Sequence, residues 1–216
     1  MSSIDRRPAR LAPLMAATAA LAFILAPPPD RAQGLTATPL NAEDTAIGVC
    51  GTCHGPDGNS SNPMFPRLAG QHAGYIVRQL KFFKDQSRAD PYAIAYMWGM
   101  ASGLSDDTMD ALAQFYARQK TGPGRSRDPA AVARGRDIFE HGIPSEGVPA
   151  CAACHGADAL GSDMYPRLAG QHADYILKQI ASFQSNMRNI AVMHGVAQNL
   201  RKPEMQAVAQ YLESLP

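Results

Sequence analysis

Cys50, Cys53 and His54 stand in the order C-x-x-C-H, and Cys151, Cys154 and His155 repeat it 101 positions later. Two thiols three residues apart lie on one turn of helix, and each can add across one vinyl group of a haem. The histidine that follows is then placed beneath the iron as its proximal ligand. A C-x-x-C pair alone has other uses: a disulfide, half of a zinc site, or a redox dithiol. Zinc needs four ligands, and 97 residues separate Cys53 from Cys151, far beyond ribbon spacing. A thioredoxin-like dithiol needs βαβ surroundings, and none can be read here. Two copies in matching contexts therefore point to two covalently bound haem c groups, with His54 and His155 on the irons. Small domains of under ~100 residues also gain much of their core from a buried porphyrin.

The sixth iron position decides between electron transfer and catalysis. Three matched pairs could fill it: Met64 and Met164, His72 and His172, Met97 and Met193. Met64 and Met164 follow the proximal histidines by ten and nine residues, too few for the chain to cross to the other haem face. His72 and His172 sit in polar turns entering a helix, which suits hydrogen bonding. Met97 and Met193 lie 43 and 38 residues beyond the histidines, just before the last helix, where a distal loop is expected. Methionine at helical spacing is usually core filler, but this pair recurs while its neighbours diverge to Trp98 and His194. Met100 is matched by Val196 and is the weaker choice. Met97 and Met193 are thus the expected distal ligands.

The elements that position these residues also come in pairs. CGTCHGPDGNSSNPMFPRLAGQHAGYIVRQLKFF from Cys50 aligns with CAACHGADALGSDMYPRLAGQHADYILKQIASF from Cys151. Within it the octapeptide PRLAGQHA is identical at Pro66 to Ala73 and Pro166 to Ala173. Two copies of about 85 residues make a duplicated domain, not a solenoid. A helix follows each octapeptide, with Tyr75, Ile76, Leu80 and Phe83 at helical spacing, and Tyr175, Ile176, Ile180 and Phe183 likewise. A further amphipathic helix closes each half, around Thr108–Ala117 and Pro203–Leu212. KTGPGRSRD, from Lys120 to Asp128, has no apolar period and joins the halves. Asp128 and Pro129 read as the N-cap and first residue of the next helix. Its apolar face is Val132, Gly135, Ile138 and Phe139. The first half lacks this G-x-x-x-F pattern, so a looser start is expected there. No stretch alternates with period two for long enough to be a strand. The fold class is all-α.

Arg6, Arg7 and Arg10 precede an apolar run from Leu11 to Ala26, the pattern of a secretory signal. At 16 residues the run is short for a membrane span, which needs about 20. The expected layout is a signal peptide over 1–32, an N-terminal domain over 33–121, a linker over 122–128 and a C-terminal domain over 129–216. An uncleaved membrane anchor is the alternative. Formal net charge is +1 for the whole chain. Removing residues 1–32 takes away four arginines and two aspartates and leaves −1. There is no basic footprint for nucleic acid. Export implies the periplasm, where thiols tend to be oxidised.

As a set, CGTCHGPDGNS, FPRLAGQHAGYIVRQL and the M-x-G-x(4)-L stretches at Met97 and Met193 resemble the dihaem cytochromes of the cytochrome c4 type. These are two fused class I cytochrome c domains, and the resemblance covers nearly all of the mature chain. It implies that the carbonyls of Pro66 and Pro166 accept hydrogen bonds from His54 and His155, and that Leu68 and Leu168 pack on the haem rings. Arg67 and Arg167 are then expected partners of haem propionates. It implies a pseudo-twofold arrangement, with haems facing each other and Arg67, Arg167, Tyr75 or Tyr175 meeting propionates at the boundary. With His/Met ligation on both irons no coordination position is open to substrate. Electron carriage in a respiratory chain is expected, from a donor such as a cytochrome bc complex to an acceptor such as a haem–copper oxidase. Peripheral membrane association fits that role. A haem-bearing, electron-accepting subunit of a periplasmic dehydrogenase is the alternative, and a dihaem enzyme is a third reading that matched methionines oppose.

Overall fold

The computed structural model describes residues 41–125 and 128–216. The signal peptide expected over residues 1–32 lies outside the described residues, as do positions 126 and 127 of the linker. The described chain is helical, with no strand longer than an isolated bridge. Among the described residues no helix is long and apolar enough to cross a membrane.

In the first half, the Asn41 side chain caps α1 (Ala42–Thr45) by accepting from Asp44 N at 2.9 Å. The chain widens into a π turn over Ala46–Cys50 and tightens again into α2 (Gly51–His54). Cys50, Cys53 and His54 therefore end one unbroken helical run. The second half reaches the same point by another route. Asp128 caps α6 (Pro129–His141), which stops at Gly142 with φ 74°. A loop clipped by the Ile143–Val148 bridge and a 3₁₀ turn at Pro144–Glu146 then leads to α7 (Ala152–His155).

From there the halves run parallel. The helices expected after each octapeptide are α3 (Ala73–Lys84) and α8 (Ala173–Gln184). They form because Ile76 and Phe83, and Ile176, Ile180 and Phe183, recur on the side that faces the core and are buried there. The methionine segments follow: a π turn over Ala93–Met97 running into α4 (Trp98–Ser102), and α9 (Ala191–Ala197). The closing helices are α5 (Asp106–Ala117) and α10 (Lys202–Ser214), each starting slightly earlier than its apolar residues suggest. Ser105 supplies the cap of α5, and Arg201 N donates to the buried Glu204 carboxylate at 2.7 Å in α10.

Where α6 crosses α10, Gly135 is required: a Cβ there would overlap the Ala207 carbonyl. Phe139 beside it is fully buried, its ring 5.5 Å from that of Tyr211. In the first half α1 packs on α5 without a glycine at the contact, and its start is tied down because Tyr116 Oη donates to Ala46 O at 3.1 Å. The core of the second half is one apolar body; that of the first is two smaller ones, around Tyr116 and around Phe83.

The two halves are related by a pseudo-twofold axis, and the octapeptides meet across it. Gln71 accepts from Arg167 N at 2.9 Å and donates to Arg167 O at 3.0 Å. Gln171 does the same to Arg67, accepting from its N and donating to its O, both at 2.9 Å. His72 Nε2 donates to Leu160 O at 2.7 Å, and His172 Nε2 to Ser60 O at 2.8 Å. The linker is held as well: Gly122 N donates to Asn59 Oδ1 at 2.7 Å, and Arg125 N to Glu213 O at 2.8 Å.

Candidate functional site

Each attachment helix ends on its histidine because the next residue is a glycine at positive φ, 81° at Gly55 and 77° at Gly156. The chain then doubles back, and the proline of the octapeptide comes beside the imidazole. His54 Nδ1 donates to Pro66 O across 2.9 Å, and His155 Nδ1 to Pro166 O across 3.0 Å. Aromatic edges flank both rings in the same way, Phe65 and Tyr165 with centroids 6.1 Å away. Burial pushes both imidazoles below their usual pKa, against a smaller opposing effect of the proline carbonyl. The result in each half is a neutral ring whose proton sits on Nδ1 and whose Nε2 lone pair is free for a metal.

The thiols stand on the same turns. All four cysteines are unpaired. Burial raises the Cys50 thiol above its ordinary pKa and pushes Cys151 up to about 11. A redox dithiol needs the opposite, a thiol shifted down. Nor does zinc fit, since among the described residues no three His, Cys, Asp or Glu side chains gather as a metal site. Apolar side chains flank the first cysteine of each pair instead, Cys50 and Cys151. Leu68 packs with Cys50 on the Tyr116 cluster, and Leu168 with Cys151 and Met193 on the single core of the second half.

Met97 and Met193 were expected in loops and lie in helical segments. Met97 ends its π turn against Phe83, Ala93 and Ala101; Met193 lies within α9 against the second core. Those small and aromatic neighbours give the segments an apolar face, which winds them into helix. Of the other paired candidates, Met64 and Met164 are 36% and 68% exposed. His72 and His172 spend their rings on the opposite half.

Arg67 and Arg167 have a structural task that the sequence did not disclose. Arg67 Nη1 donates to Gly170 O at 2.9 Å and Pro123 O at 3.2 Å, while Arg167 Nη2 donates to Pro216 O. The Nε of each is buried with no acceptor among the described residues. A buried guanidinium N–H without an acceptor is costly, and one in each half matches the carboxylates of two haems. Tyr75 and Tyr175 accept from Arg188 and Arg88 respectively. Thus the donor set, the apolar walls and the orphaned N–H groups all fit haem.

Sequence reasoning read His72 and His172 as hydrogen-bonding residues without placing them at the join, and missed the others that join the halves: Gln71, Gln79, Arg88 and their partners Gln171, Gln179, Arg188. Their signal was present, because every one recurs at an offset of 100.

The comparisons with known proteins agree with this geometry. A family model described as cytochrome c matches residues 44–118 and again 132–216. Cytochrome c4 of Thiocapsa roseopersicina is 43% identical over 183 residues, covering 82% of this chain and 92% of that one. The thiosulfate dehydrogenase electron acceptor of Thiomonas intermedia is 38% identical over 175 residues, covering 77% of this chain and 78% of its own. A solved structure of Acidithiobacillus ferrooxidans cytochrome c4 superposes with a TM-score of 0.73 at 41% identity, covering 77% of this chain and 98% of that one. The chain belongs to the cytochrome c4 family: two class I cytochrome c domains, two covalent haem c groups, and electron transfer as the task.

Proposed function

We propose that this protein is a periplasmic carrier that passes electrons, one per haem, along a respiratory chain towards a terminal oxidase, with His54 and Met97 on one iron and His155 and Met193 on the other. The observation that carries the reading is that both halves present a methionine from an apolar helical segment and an imidazole fixed through its Nδ1. When bound, haem c supplies a ferric/ferrous couple. Pro66 and Pro166 hold each imidazole in the tautomer that binds metal and keep its orientation from changing between states. Leu68 and Leu168 keep water from the attachment side. The thioethers of Met97 and Met193 are soft donors that favour the ferrous state and so a comparatively high potential. With an imidazole and a thioether of the protein on each iron, no position would be left for substrate, which suits a carrier rather than an enzyme. Export through the N-terminal signal, cleavage near Ala32 and peripheral membrane association belong to the same reading.

The test is redox titration with optical spectroscopy on the exported protein. Its mass exceeds that of the polypeptide by two haems that denaturation does not release. Met97→His and Met193→His each retain haem and lower one midpoint potential, because imidazole stabilises ferric iron better than thioether does. Met64→Leu and Met164→Leu leave the methionine-to-iron charge-transfer bands intact; loss of a band in either overturns the ligand assignment.

A second reading is favoured by one observation, the similarity to a thiosulfate dehydrogenase electron acceptor. In it, this chain accepts electrons from a periplasmic dehydrogenase. Co-purification with a catalytic chain, and reduction by that chain's substrate, distinguishes it from the oxidase-directed carrier.

A further inference from the structure

The buried polar cluster between α3 and α8 does more than join the halves. Arg88 and Arg188 lie side by side across the axis, 6% and 7% exposed, each over its own phenylalanine, Phe83 or Phe183. Gln79 Oε1 accepts from Arg88 Nη1 at 2.8 Å and Arg188 Nη2 at 2.9 Å. Gln179 Oε1 accepts from Arg88 Nη2 at 2.8 Å and Arg188 Nη1 at 2.6 Å. Each amide oxygen thus ties both guanidiniums together in a closed ring. Of the two, among the described residues, Arg88 alone has a carboxylate, Asp90 at 2.7 Å; the matching position of the second half is Ile190.

The symmetry stops where the ring meets the methionine segments. In the first half, Trp98, next to Met97, donates its Nε1 to Arg88 O at 2.8 Å. Arg88 is held on its other sides by Phe82 O within its half, and the next residue, Ala89, donates to Met187 O of the other half at 3.2 Å. In the second half, His194, next to Met193, bonds instead to Phe183 O in α8 at 2.8 Å. Gln184 also holds the end of α9 there, donating to Ala197 O at 2.9 Å and Leu200 O at 2.7 Å. The start of α9 also rests on the interface, because Ile190 N donates to Arg188 O at 3.0 Å, but the side chain beside Met193 is tied to α8, whereas the side chain beside Met97 is tied to the interface arginine itself, in a loop that the other half helps to fix.

We infer that Arg188, with Gln79, Gln179 and Arg88, is a positioning group for the methionine ligand of the opposite half, acting on Met97 through the Arg88 carbonyl and Trp98 more strongly than on Met193, whose neighbour His194 is tied to α8. The inference rests on the reading of Met97 and Met193 as ligands.

The test uses the intact, haem-loaded protein. Met97→His and Met193→His first assign the two midpoints; if Met97→His moves neither, the ligand reading fails and takes this inference with it. With the midpoints assigned, Arg188→Met removes the ring's donors at nearly constant length. The expected result is a lower midpoint and a weaker charge-transfer band for the Met97 haem, with a smaller change at the Met193 haem. Trp98→Phe, which leaves the interface intact, reproduces the effect and keeps the test open if Arg188→Met does not fold; His194→Phe moves the Met193 haem only. Two outcomes overturn the inference while sparing the ligand reading. In one, both midpoints shift together with full bands, which is the signature of a lost buried charge. In the other, neither midpoint nor band responds to Arg188→Met or to Trp98→Phe.

Discussion

The turn that follows each attachment helix is built from Gly58 in the first half and Ala159 in the second, at φ 79° and 56°. Both carbonyls do the same work. Gly58 O accepts from Leu68 N and Ala69 N at 2.8 and 3.2 Å, and Ala159 O from Leu168 N and Ala169 N at 2.8 and 3.1 Å. Those bonds bring the octapeptide beside the histidine. The side chains differ because their neighbours differ. A Cβ on Gly58 would lie 2.8 Å from both Ala69 N and the Tyr116 ring. The residue aligned with Tyr116 is Leu212, and the Ala159 methyl, fully buried, fits beside the smaller side chain. Tyr116 in turn reaches Ala46 O and holds the short first helix, a task that Gly135 and Phe139 perform in the second half by direct helix crossing. One half economises on the turn and spends a ring; the other spends a long helix. The two halves show that the haem surroundings constrain backbone geometry, while the packing behind them is solved separately.

The largest expected effect comes from attacking the helix crossing. Gly135→Ala drives a methyl into the Ala207 carbonyl and costs about 4 kcal/mol. Gly48→Ala, in the corresponding helix of the first half, meets nothing within 4 Å and changes stability by less than about 0.5 kcal/mol. Thermal denaturation of the loaded protein measures both, and equal losses would break the comparison.

Next in size is Gly58→Ala. Left-handed backbone strain plus the clash with Ala69 N costs about 2–3 kcal/mol. Adding Tyr116→Leu copies the second half's solution, so the double variant loses less than the sum of the singles. Strict additivity in denaturant titrations would mean that the pair is not one packing unit.

The smallest effect is at the turns that lead into the interface arginines. Gln86 and Asn186 are matched residues at φ 61° and 59°. Asparagine tolerates this conformation better than glutamine does. Gln86→Gly therefore stabilises by about 0.5 kcal/mol, and Asn186→Gly by less. A larger gain at Asn186 would reverse the ranking.

How much of this was legible in the sequence depends on how local the cause is. The C-x-x-C-H segments and the helices α3 and α8 declare themselves within a few residues, through bond-forming side chains and apolar spacing. The histidine–proline contacts followed from the resemblance and not from the residues. The start of the first half did not declare itself, because what fixes Ala46 is Tyr116, 70 positions away. The segment ending at Met97 was expected as a loop because a π turn breaks the i, i+4 rhythm that marks a helix. Arg67 and Arg167 were expected only as haem contacts; their bonds to Gly170 and Pro216 depend on how the halves meet. The glutamines and arginines of the interface were visible only as coincidences of offset, since an isolated polar residue looks the same on a surface as at a contact.

The reciprocal bonds of Gln71 and Gln171 carry an implication for ancestry. Each glutamine reads the backbone of the other copy's arginine, and each histidine a carbonyl of the other copy's turn. A surface that binds a second copy of itself in this way is what a twofold homodimer possesses. A single-haem protein bearing PRLAGQHA would already have paired with its twin, so tandem duplication had only to tether partners that were associated beforehand. Arg67, Gln71 and His72 and their counterparts face their own likeness, so pairing gives the octapeptide a reason to stay the same beyond the proline and leucine contacts made within each half.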